Sequence, residues 1–156
     1  MSVAADRYIK SLQFHDHVIK GKTEGVTHEQ SLLQLSFPSN CMNWNLGHLL
    51  VYRHQYLGWL DGVSKPDEAE FAVYGAGSEQ MVDGTHAMQL AEILERLNAV
   101  SADIVTALEA APAEKFDAIF DAEAGTTIDD RLRFYVMFHE AYHIGQLEPL
   151  FELAKA

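Results

Sequence analysis

A chain of 156 residues, 48% of them hydrophobic, has the size and apolar content of one domain spanning 1–156; no apolar run reaches the about 18–20 residues of a membrane span, and MSVAADRYIK lacks the apolar block of a secretion signal, so a cytoplasmic protein is expected. Eleven Lys plus Arg against 23 Asp plus Glu leave a formal charge of −12, which repels a phosphate backbone and argues against nucleic-acid binding. A single cysteine, Cys41, excludes an internal disulfide and a cysteine-rich zinc site, so any metal has to be held by imidazole and carboxylate.

Four stretches repeat apolar residues at helical spacing and none alternates with period two between turn residues, so the class is all-α. The first helix spans about Ala4 to Lys20, with Tyr8, Leu12, His15 and Ile19 on one stripe, and stops in GKTEG. Thr27 and Gln30 make a capping-box pattern ahead of a short turn. A second long helix starts after Pro38 with Ser39 or Asn40 as N-cap, carries the stripe Leu46, Leu49, Leu50, Leu57 and Leu60, and closes at Asp61-Gly62. Between Gly62 and Thr85, Pro66, Gly75, Gly77 and Gly84 predict a long irregular connection. The third helix runs from near Thr85 to Ala110, ahead of Pro112. Thr126 to Asp129 is a second capping box, opening a fourth helix that continues to about Ala154; Pro149 would clash with the Gly145 carbonyl, and a glycine there allows a kink. Such helices pack naturally as a four-helix bundle, and the long second connection permits a course other than simple up-down-up-down.

Followed at spacings of three and four, the buried stripe of the fourth helix reads Ile128, Leu132, Tyr135, His139, His143, Gln146, Leu150 and Leu153. Two imidazoles stand where the pattern asks for leucine. An unpartnered buried polar group costs roughly 2–7 kcal/mol, and one ion shared by imidazoles at i and i+4 offsets that cost. A lone buried histidine is more often a hydrogen-bonded core residue; the pair, joined by His48 on the second-helix stripe Asn45, His48 and Tyr52, shifts the reading to a metal site. Three histidines from two helices leave coordination positions open, as a reactive centre requires.

Several neighbours are candidates for chemistry or support. Tyr135 precedes His139 by one turn and Tyr52 follows His48 by one turn, so either hydroxyl is a candidate proton donor or orienting group, beside the commoner role of a packing tyrosine. Glu140, rotated about 100° from His139, points to the edge of the site or outward, as a catalytic candidate or simply a solvated carboxylate. Asn45 and Gln146 share the ligand stripes and are candidates to orient the imidazoles. His15 lies on the first helix's apolar stripe and can reach the interior. His54 faces nearly opposite to His48, and surface placement is expected. Trp44 and Trp59 read as packing residues, while Tyr74, Gly75, Gly77 and Ser78 are expected to border the mouth of the site.

The segments MNWNLGHLL at 42–50, VYGAGS at 73–78 and HEAYHIGQL at 139–147 resemble the signature segments of the DinB-like superfamily. That resemblance implies a four-helix bundle of up-down-down-up course, commonly a homodimer, holding nickel or zinc through three histidines. At the matching positions these ligands are His48, His139 and His143. Characterised relatives include mycothiol-dependent maleylpyruvate isomerases and bacillithiol transferases, so the resemblance also implies a metal-dependent enzyme. Hydrolysis and thiol S-transfer are the expected reaction types, with a small-molecule substrate such as a low-molecular-weight thiol. The family name reflects induction by DNA damage and does not imply DNA binding.

HEAYH also matches the HExxH pattern of zinc proteases, with Glu140 as general base. Without a strand there is no substrate-binding edge, and Glu148 and Glu152 lie too close along the same helix to supply a third ligand. A rival of another class is a non-catalytic metal-binding or stress-response interaction module, in which the ion ties the second and fourth helices together.

Overall fold

The computed structural model describes residues 2–156. Ser2 caps α1 (Val3–Thr23), accepting from the Ala5 amide, and the helix runs through Gly21 instead of stopping at Lys20. The Thr27–Gln30 capping box forms on α2 (His28–Ser31). α3 (Met42–Asp61) starts later than expected, with Cys41 in place of Ser39 or Asn40 as N-cap, and Gly62 closes it at φ 76°, a left-handed conformation that suits glycine.

The connection expected to be irregular contains α4 (Glu68–Tyr74), because Asp67 accepts from the Ala69 and Glu70 amides and satisfies the first turn. α5 (Leu90–Ala110) begins at Leu90, not near Thr85. After α6 (Ala113–Asp117), β1 (Ile119–Asp121) and β2 (Thr126–Thr127) pair as a small antiparallel ribbon, strands too short to leave an alternation signal. The second capping box is one residue later than expected, Thr127 with Asp130, at the start of α7 (Ile128–Leu132). The fourth long helix then passes through a π-helical segment, Arg133–His139, into α8 (Glu140–Lys155), which continues through Pro149.

The π segment changes which face of this helix is buried. The stripe in the core is Ile128, Leu132, Val136, Glu140, Ile144, Leu147, Leu150 and Ala154, with early intervals of four that match the wider π turn. Tyr135, His139, Gln146 and Leu153, expected in the core, are only partly covered. Phe134, Met137, Phe138 and Tyr142 are exposed.

α1, α3, α5 and the fourth helix enclose one core that includes Leu12, Leu46, Leu49, Ile93, Ile104 and Leu147. Tyr8 meets Asp129, His15 meets Glu140 and Lys22 meets Glu148, so α1 and the fourth helix run in the same direction. Asn43 reaches the Met88 carbonyl and Arg53 reaches Ser101, so α3 and α5 run together. Contacts of Asn45 with His143 and of Trp59 with Tyr135 set α3 against the fourth helix. Among the described residues no helix is long and apolar enough to cross a membrane.

Candidate metal centre

His48 from α3, His139 at the end of the π segment and His143 on α8 converge, each offering a ring nitrogen within 4.8 Å of the others. The Nε2 atoms of His48 and His139 are 3.0 Å apart. The ring centroids lie 4.4 Å apart for His48 and His143 and 4.7 Å apart for His139 and His143.

Partners behind the rings decide their tautomers. His48 Nδ1 donates to the Tyr74 carbonyl at 2.6 Å, which leaves the Nε2 lone pair facing the cluster. Asn45 Nδ2 donates to the carbonyls of Cys41 at 2.9 Å and Asn40 at 3.3 Å. Its Oδ1 therefore faces His143 and accepts from Nδ1 at 2.9 Å, leaving that Nε2 lone pair free as well. His139 Nδ1 is buried without a partner. A hydrogen bond from His139 Nε2 can satisfy the His48 lone pair, but it leaves His143 Nε2 and His139 Nδ1 without partners, and a shared cation fits the cluster better than hydrogen bonds alone.

Burial lowers all three imidazoles below their ordinary value of 6.5, His48 to about 4 and His143 to about 3, with neighbouring histidines adding to the fall at both. The rings are thus neutral at neutral pH, the form in which imidazole binds metals. Packing holds them in place. Trp44 stacks on His48 at 4.5 Å and its Nε1 donates to Ser78 Oγ at 3.0 Å. A Cβ at Gly47 would lie 2.3 Å from the Tyr74 ring, so glycine allows Tyr74 to pack closely enough on α3 for its carbonyl to meet His48. The loop expected at the mouth therefore contributes Tyr74 and Ser78 to the support of the site.

Both tyrosine candidates adjoin the cluster. Tyr52 lies 4.6 Å from His48 and 4.9 Å from His139, Tyr135 lies 5.2 Å from His139, and the two tyrosines stack at 5.5 Å. Burial raises the Tyr52 hydroxyl above its ordinary value. Gln146 makes no hydrogen bond to the histidines and borders a separate groove with Tyr142 and Phe37. His54 is half-buried outside the cluster, with burial lowering its pKa.

Glu140 corrects the expectation of an edge or solvent-facing carboxylate, for it is fully buried on the core stripe. Arg53 Nε and Nη2 grip it bidentately at 2.9 and 3.0 Å, His15 Nδ1 donates at 2.8 Å and the Tyr56 hydroxyl donates to Oε1. Burial alone would raise this carboxyl; the Arg53 charge and the His15 hydrogen bond outweigh it and bring the value down to about 2. Arg53 Nη1 also donates to Asp16 at 2.6 Å and to Ser101. Arg53, Asp16, Ser101 and Tyr56 did not stand out in the sequence. A signal existed for Arg53, which fills the gap between Leu49 and Leu57 in the apolar stripe of α3.

A comparison with protein-family models matches the DinB superfamily over residues 22–147, a span containing all three histidines and their supports Asn45 and Tyr74. No curated protein matches the chain at a significant level. With most of its 156 residues inside the family match and the histidine-bearing helical fold in place, the chain belongs to the DinB superfamily.

Proposed function

We propose that His48, His139 and His143 hold a divalent ion, nickel or zinc, and that the chain is a metal-dependent enzyme of hydrolase or thiol S-transferase type acting on a small molecule. The observation that carries this reading is the pair of outward hydrogen bonds, His48 to the Tyr74 carbonyl and His143 to Asn45, which turn two lone pairs toward His139. An ion bound there supplies a Lewis acid that brings the pKa of a water or thiol toward neutrality.

The surrounding residues have separable tasks in this reading. Asn45 and Tyr74 orient the imidazoles, while the rings of Tyr52 and Tyr135 wall the approach and limit water. Their hydroxyls are candidates to orient or protonate the reacting group. Glu140 anchors the helix and is not the free base of a protease motif, since both carboxylate oxygens are engaged by Arg53. The partial exposure of His139 and Tyr135 favours an open site over a non-catalytic tie between helices.

Metal titration and metal analysis test the ligand set: the purified protein is expected to bind one nickel or zinc ion per chain, and His48→Ala and His139→Ala to lose it. Unchanged metal content in both variants sinks the assignment. Calorimetry with small thiols on metal-loaded and metal-free protein then separates the classes, with saturable binding expected only when metal is present.

A further inference from the structure

Two turns before His139 stands Arg131, in surroundings unlike those of the other partly or fully buried arginines. Arg53 is bound to Glu140 and Asp16, and Arg96 to Glu70. Arg131 has no carboxylate or hydrogen-bond partner among the described residues, and its Nε is buried without one. The carboxylates beside it in sequence are turned elsewhere: Asp129 is engaged by Arg133 and Tyr8, and Asp130 by Thr127 in the capping box.

Three rings hold this cation without neutralising it. Its guanidinium carbon is 4.7 Å from the Phe120 ring centroid, 5.3 Å from Tyr135 and 5.4 Å from Trp59, placing it in a cage built by β1, the π segment and α3. The same Tyr135 ring lies 5.2 Å from the His139 ring. Guanidinium and imidazole are therefore at most the sum of those two Tyr135 distances apart, about 10.5 Å. Arg131, Tyr135 and His139 form a row at i, i+4 and i+8, each partly exposed. Gln55, one turn from both Tyr52 and Trp59 on α3, also has a buried Oε1 without a partner.

We infer that Arg131 is the residue that binds a carboxylate on the substrate, so that the site takes a small monoanion with its metal-binding end and its carboxylate no farther apart than Arg131 and His139. The inference rests on the metal-site reading above and narrows its substrate class. A guanidinium offers a planar fork that matches a carboxylate bidentately, and aromatic packing restricts its orientation. One unpaired cation on a chain of net charge −12 suits a single negative charge better than a phosphate dianion. A cage serving only to clamp the ribbon to α3 would affect stability without discriminating among ligands.

Calorimetric titration of the metal-loaded protein with mercaptooctanoate and with mercaptooctanol separates these roles. Wild type is expected to bind the acid about ten- to hundredfold more tightly than the alcohol, with the advantage shrinking as salt is added. Arg131→Met is expected to abolish the preference while keeping metal content and alcohol affinity. Arg131→Lys, which retains the charge, keeps part of the preference and supplies the comparison if the methionine variant does not fold. Equal affinities in wild type, or a preference that survives removal of the charge in folded Arg131→Met or, failing that, Arg131→Gln, overturns the carboxylate role and leaves the metal site standing. Binding of neither probe to protein shown to carry its metal overturns the carboxylate role together with the thiol reading.

Discussion

His139 and Glu140 are neighbours in the chain, yet their side chains enter clusters of opposite character. Glu140 meets donors from Arg53, His15 and Tyr56, and Arg53 extends the network to Asp16 and Ser101, so ionised groups in the core are matched on every side. The imidazoles of His48 and His143 are satisfied from behind and turn their lone pairs to the front, where His139 Nε2 meets only His48 Nε2, and His139 Nδ1 is without a partner. A closed network of this kind joins elements; an open one leaves bonding capacity for something else. The two share helices, so the first holds the backbone from which the second is built.

The largest expected effect comes from breaking the closed cluster. Glu140→Ala leaves the Arg53 charge buried without its main partner and should cost about 3–5 kcal/mol, read from urea unfolding of the metal-free protein. A loss below about 1 kcal/mol, the range of exposed pairs, would remove the distinction between the clusters. Acid should weaken the open cluster next. His48 and His143 lie near 4 and 3 in the folded chain against an ordinary 6.5, so below about pH 6.5 the unfolded metal-free chain takes up protons that the folded chain refuses. Stability should hold above that value and fall as pH drops toward 3–4, by roughly 2 kcal/mol for each imidazole at pH 5. The urea midpoint should decline between about pH 7.5 and 5 in wild type and less in His143→Ala; equal declines would contradict the burial argument.

Support of the open cluster comes third. Asn45→Ala frees the His143 ring and is expected to weaken metal binding about 10- to 100-fold, measured by titration with a competing chelator, while an unchanged affinity would show that packing alone orients the ring. The smallest effect belongs to the edge of the closed network. Ser101→Ala removes one contact to Arg53, which keeps Asp16 and Glu140, and should cost about 1 kcal/mol by urea unfolding.

Much of the site was legible because its signals are local. The i, i+4 spacing of His139 and His143 places two imidazoles on one side of a helix whatever surrounds it, and His48 shares a stripe with Asn45 and Tyr52. The stripe of the fourth helix was harder to read, because regular helical spacing puts Tyr135 and His139 in the core and leaves Glu140 outside. The π segment rotates that face and buries Val136 and Glu140. Helix α4 was hidden for a different reason: Pro66 and the glycines around it are the stronger local signal, and only the Asp67 cap marks its start.

By itself, the sequence determined the helical class, the glycine stop of α3 and the candidacy of three histidines, since each follows from residue type and spacing within a few turns. Tertiary structure decided the partners. Arg53 and Glu140 are 87 positions apart, and their charges become mutual necessities only when packing removes water from both. The same holds for the Tyr74 carbonyl behind His48 and for the aromatic cage around Arg131: no local spacing encodes them, because each is made by elements that meet only in the folded chain.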